Sequence, residues 1–121
     1  MSRTLALPRL LAVAILPVLM AACQEGRELG AVSYCDASIE VAVQDVPNPS
    51  SDELYWRTLE PGSGSSLVTT GSRTTKAYYW IRMPGDEQPA PVEIAISTLV
   101  KPESDSGFDL GLIIEGPLCP G

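Results

Sequence analysis

Residues 74–83 read TTKAYYWIRM, and this run decides the fold class. Thr, Tyr, Trp and Ile suit a pleated, half-buried surface. With a period of two, Lys76, Tyr78, Trp80 and Arg82 share one face, and Ala77, Tyr79, Ile81 and Met83 share the other. A strand over 74–83 follows, broken by Pro84-Gly85-Asp86-Glu87-Gln88-Pro89.

Outward from it, alternation returns on both sides. Upstream, Ile39, Val41 and Val43 alternate with Glu40, Ala42 and Gln44, giving a strand over 37–46 that stops at PNPSSD, residues 47–52. A second strand, 54–59, is rich in aromatics and ends at Glu60-Pro61-Gly62-Ser63-Gly64-Ser65, read as a turn or mobile loop. A short strand over 67–70 precedes a turn at Gly71-Ser72. Downstream, 92–100 alternates through Val92, Ile94 and Ile96. After a polar loop from Pro102 to Gly107, the last strand, 108–115, puts Phe108, Leu110, Leu112 and Ile114 on one face. No segment after the amino-terminal apolar run has capped 3.6-residue periodicity. About six to seven strands with frequent turn signals predict an all-β domain: a small antiparallel β-sandwich, immunoglobulin-like, or a small β-barrel.

The composition narrows the chemistry. The 121 residues contain no His, which removes His-based triads and His-assisted metal sites. Gly62-Ser63-Gly64-Ser65 is neither a nucleophile elbow nor a phosphate-binding loop. The carboxylate pairs Asp52/Glu53, Asp86/Glu87 and Asp105/Asp109 lie in or beside proposed loops, where turn formation and solvation account for them. No catalytic residue, cofactor or metal is called for, and the protein is read as a non-enzyme.

The amino end carries a different signal. Arg3 and Arg9 precede an apolar run, Leu10 to Met20, of 11 residues interrupted by Pro17. A helix needs about 20 apolar residues to span a bilayer, so the run reads as a signal peptide. It ends Met20-Ala21-Ala22-Cys23. This resembles the lipobox of bacterial lipoproteins, with Met20 where that class usually has Leu. The resemblance covers the leader alone. It implies cleavage before Cys23 and acylation there by chains such as palmitate, which would hold the protein on its membrane. By the same resemblance, Gln24 in place of Asp favours the outer membrane, which borders the periplasm, in a Gram-negative envelope. The organisation expected is a signal peptide over 1–22, lipidated Cys23 with a flexible tether over 23–34, and a β domain over 35–121.

Lipidation would take Cys23 out of the cysteine count and leave Cys35 and Cys119 to bridge the folded region in a compartment where disulfides persist. Cleavage would also leave all 15 acidic residues with six basic ones, Arg27, Arg57, Arg73, Lys76, Arg82 and Lys101, for a formal charge of −9. That balance argues against nucleic-acid binding and is compatible with a cationic partner.

One surface feature stands out. If the strands over 54–59 and 74–83 are neighbours, Tyr55, Arg57, Tyr78, Trp80 and Arg82 form an amphipathic patch of the residue types that anchor interfaces. The alternative is that these rings pack across strands, with Lys and Arg stems covering them. The function expected is a membrane-anchored envelope lipoprotein with a binding or accessory role, its partners the membrane and an envelope protein. A second expectation is an inhibitor of a cationic enzyme. The lipobox, Tyr34-Cys35-Asp36 and the late Cys119 resemble small β-barrel lipoproteins that inhibit lysozyme, although their Ser-Gly-x-x-Tyr loop has no counterpart here.

Overall fold

The computed structural model describes residues 26–102 and 107–121. The leader, Cys23, Gln24 and Asp105 lie outside the described residues. Seven strands form two sheets: β1 (Gly26–Ser33), β2 (Ile39–Gln44), β3 (Arg57–Leu59), β4 (Gly64–Gly71), β5 (Lys76–Arg82), β6 (Val92–Ala95) and β7 (Leu110–Ile114). One sheet has the order β4-β1-β7, the other β3-β2-β5-β6. The architecture is a small β-sandwich and not a closed barrel. The immunoglobulin constant arrangement, A-B-E-D facing C-F-G, is not this order. Here β1 runs parallel to β7, and the other strand pairs are antiparallel.

The core forms where alternation places branched and aromatic side chains face to face. Ile39, Val41 and Val43 from β2 and Ala77, Tyr79 and Ile81 from β5 line one wall. Leu29 and Ala31 of β1 and Ile114 of β7 line the other, with Leu110 and Leu112 packed at its margin. Beyond β6 the chain makes a 3₁₀ turn, Ile96–Thr98, and Val100 then bridges to Gly111, so this segment passes from one sheet to the other. The strand expected over 92–100 therefore ends at Ala95.

Residues 26–33, expected within a flexible tether, are instead the central strand of the three-stranded sheet. Leu29, Ala31 and Ser33 alternate inward and are wholly buried. Their small neighbours conceal the strand: Gly30 pairs with Gly111, and Phe108 lies across both. A Cβ on Gly30 would come within 2.5 Å of the Phe108 ring, as would one on Gly111. Because Gly30 faces away from Leu29 and Ala31, Phe108 covers the outer surface of this sheet. It is buried, yet it does not share the core face expected with Leu110, Leu112 and Ile114.

Two more expectations shift. β4 begins at Gly64, inside the expected loop, and pairs with β1 through a bulge at Leu67. Of the segment 54–59, only Arg57–Leu59 is strand, preceded by a 3₁₀ turn at Ser51–Glu53.

Tyr79 links the sheets through a buried hydrogen bond, its hydroxyl donating to the Gly30 carbonyl at 2.9 Å. Burial pushes the phenol pKa upward, which keeps it a donor. Tyr79→Phe would leave that carbonyl without this donor and is expected to cost about 1–3 kcal/mol in unfolding free energy. Urea titration reads this directly, and an unchanged midpoint would contradict the link.

Candidate binding face

The outer surface of the four-stranded sheet holds the expected aromatic patch, arranged differently from the expectation. In β5, Tyr78, Trp80 and Arg82 alternate outward, as the period-two pattern requires. Trp80 stands opposite Ala42 of β2, whose small side chain leaves room for the indole. Leu54 closes over it, so Trp80 is only 1% exposed. Trp56 and Tyr78 flank this second cluster. The Arg82 guanidinium lies 3.7 Å from the centre of the Trp56 ring, and its Nε donates to Glu40 at 2.9 Å across the directly paired strands. Tyr78 and Lys76 both reach Glu93 on β6, at 3.4 Å each.

A segment of chain covers this face. Gln44 donates from its side chain to the Glu53 carbonyl, and the Glu53 carboxylate accepts from the Ser50 backbone N–H. Together these hold the 3₁₀ turn against the end of β2 and bring Leu54 and Trp56 over Trp80. Tyr55 turns outward and is 72% exposed, and Arg57 is exposed on the short edge strand β3. The rings of this face follow the alternative stated above, packing across strands under an arginine stem: of Tyr55, Arg57, Tyr78, Trp80 and Arg82, the last three join a covered satellite core. Trp80 is its buried centre, and Trp56 rather than Tyr55 completes it. Residues 54–56 are not in a strand, so two-residue alternation assigns their faces wrongly.

The three-stranded sheet carries a polar ladder that sequence reading missed. The hydroxyls of Ser66 and Thr69 on β4 donate to the Glu28 carboxylate. The Glu28 backbone N–H donates to Asp109 Oδ2 at 2.9 Å, and the Asp109 N–H donates to the Glu28 carbonyl. The hydroxyl bonds, Ser66 first and then Thr69, hold the Glu28 pKa below its ordinary 4.5, against slight desolvation and the Asp109 charge. Folded Glu28 therefore stays ionised to lower pH than it does in the unfolded chain. The stabilisation is complete above pH 4.5 and is lost as pH falls through the lowered folded value. Glu28→Gln is expected to flatten the acid-side decline of stability below that pH. Identical pH profiles for the two proteins would contradict the assignment.

Two grooves open at opposite ends of the sandwich. One, of about 410 Å³, lies beside the Cys35–Cys119 disulfide, with Tyr34, Ile39 and Met83 in its wall. The other, of about 430 Å³, lies at the Gly26 end. It has an apolar floor of Ile96, Leu99 and Leu110, and a polar rim of Arg27, Thr74 and Ser97. Sequence reading found the cysteines, because they bracket the strand pattern. It missed the second groove because its residues are scattered over four segments. Of the carboxylate pairs, Glu53 and Asp109 serve backbone hydrogen bonds. Comparison with protein-family models, curated proteins and solved structures returns no match.

Proposed function

We propose that the protein is a lipid-anchored β-sandwich of the bacterial cell envelope with a binding or accessory role rather than a catalytic one. The observation that carries this reading is the pairing of cysteines. Cys35 and Cys119 form a disulfide across 84 residues, so Cys23, at the end of a leader-like segment, is the cysteine left outside the pair. A basic start, a short apolar run and Ala21-Ala22 before that cysteine make it the expected acylation point. Gln24 favours the outer membrane where the envelope has two. The acidic balance of the mature chain suits a cationic protein partner.

Intact mass of membrane-extracted protein tests the reading, with alkylation before and after reduction. The expected species starts at Cys23, carries added acyl mass and yields two alkylatable thiols only after reduction. A freely soluble species with three thiols open to alkylation would reject it. A second reading, inhibition of a cationic enzyme such as lysozyme, is favoured by the acidic end beside the disulfide, where Asp36, Glu60, Asp86 and Glu115 are exposed. An unchanged lysozyme rate with the purified protein in excess would remove it.

A further inference from the structure

We infer that the Gly26 end of the sandwich rests on phospholipid headgroups, with Arg27, Arg73 and Lys76 at the contact. This rests on the lipid-anchor reading and adds an orientation to it. The reach of the chain is the first argument. β1 begins at Gly26, three residues after Cys23. Three residues span at most about 11 Å, close to one Debye length of roughly 8–10 Å at ordinary ionic strength. A tether running to residue 34 would have let the domain float free; the strand at 26–33 removes that slack.

Topology supplies the second argument. β1 leaves the Gly26 end, and β4 returns to it at Gly71, opposite Gly26. The loop from β4 to β5 therefore sits beside the point where the anchor enters. Arg27 Nη2 donates to the carbonyls of Ser72 and Thr74, at 2.6 and 3.2 Å, and so fixes this loop. Arg73 projects from it and Lys76, beside Glu93, opens β5 directly after it, both exposed, and the Arg27–Thr74 groove opens next to them with no acidic residue in its lining among the described residues.

Charge distribution is the third argument. Lys101, one residue beyond the Val100–Gly111 bridge, joins the three cations at this end. Asp45, Asp52, Glu53, Glu93, Glu28 and Asp109 stand at the same end, six carboxylates against four cations among the described residues, so what sets this end apart is the local grouping of Arg27, Arg73 and Lys76 and not its net charge. The opposite end carries Asp36, Glu60, Asp86, Glu87 and Glu115, all exposed, and the nearest cation, Arg82, is engaged by Glu40. Headgroup phosphates therefore meet a local group of cations at the near end, whereas the far end offers them carboxylates and an engaged Arg82.

The test places the mature, acylated protein in nanodiscs of phosphatidylglycerol and phosphatidylethanolamine that contain a headgroup spin label. Eight residues of β1 separate the ends by roughly 25 Å, enough for amide signals to distinguish them. Ser72, Arg73, Thr74 and Ser97 are expected to lose their signals, while Asp36, Gly85 and Glu115 keep theirs. The exposed-loop variant Arg73→Glu/Lys76→Glu is expected to recover the loop signals without loss of acyl mass. Equal broadening at both ends, or a variant indistinguishable from the parent, would overturn the orientation alone. A sample lacking acyl mass would overturn the anchor reading and the orientation with it.

Discussion

Removing the Cys35–Cys119 bridge, as Cys35→Ser/Cys119→Ser, is expected to lower the unfolding free energy by about 4–5 kcal/mol. The two cysteines are 84 residues apart, so the bridge closes a loop around nearly the whole sandwich. Such a cross-link acts mainly on the unfolded chain, whose freedom it restricts in proportion to the logarithm of loop length. Small domains hold only about 5–15 kcal/mol in total, so the loss approaches the scale of the fold itself. The double variant is preferred to either single one, which would leave an unpaired thiol beside the groove at that end. Urea titration under oxidising conditions reads the loss, with an unchanged slope if the unfolded chain exposes the same surface. A loss of less than about 1 kcal/mol would show that the loop is already restrained before folding.

The second large effect centres on Phe108. Phe108→Ala is expected to cost about 3–5 kcal/mol, the range for a buried ring whose space does not collapse. Its surroundings allow a sharper test. The three atoms nearest a Cβ on Gly111 would all belong to the Phe108 ring, the closest at 2.5 Å. A Cβ on Gly30 would meet the ring and also the Ser65 carbonyl oxygen, which belongs to the neighbouring strand. Gly111→Ala should therefore be destabilising alone, by about 1–3 kcal/mol from overpacking, and nearly silent in the Phe108→Ala background. Gly30→Ala should stay destabilising in both, because removing the ring leaves the backbone collision in place. Thermal or urea unfolding of the four proteins in each cycle gives the coupling. Additive effects for Gly111 and Phe108 would refute the packing described.

The fold was legible wherever large side chains alternate. β2 and β5 announce themselves because Ile39, Val41, Val43, Tyr79 and Ile81 bury one face and leave polar or satellite residues on the other. β1 was hidden for the opposite reason. Gly30, Ala31 and Ser33 carry almost no side chain to mark a buried face, and their smallness is what admits Phe108 and the second sheet. The turn signal at Gly62-Ser63-Gly64-Ser65 was real for its first half only, since Gly64 already pairs with Val32. The disulfide followed from cysteine count and strand position. The aromatic face was half legible: β5 parity put Tyr78, Trp80 and Arg82 together, but no pattern in 54–56 says that Leu54 and Trp56 fold inward over them. The groove at the Gly26 end was invisible, because it exists only once β1, the β4–β5 loop and the 3₁₀ turn after β6 are brought together.

The parallel seam between β1 and β7 bears on the order in which such a chain can fold. Leu29 pairs with Leu110 and Ser33 with Ile114, so the earliest strand waits for the latest before its second edge is filled. A chain made from its amino end could assemble β2, β3, β5 and β6 as each emerges. It could not zip up the three-stranded sheet until β7 had been made. Closure of that seam is a built-in finishing step: the rigid form waits until the last strand is present.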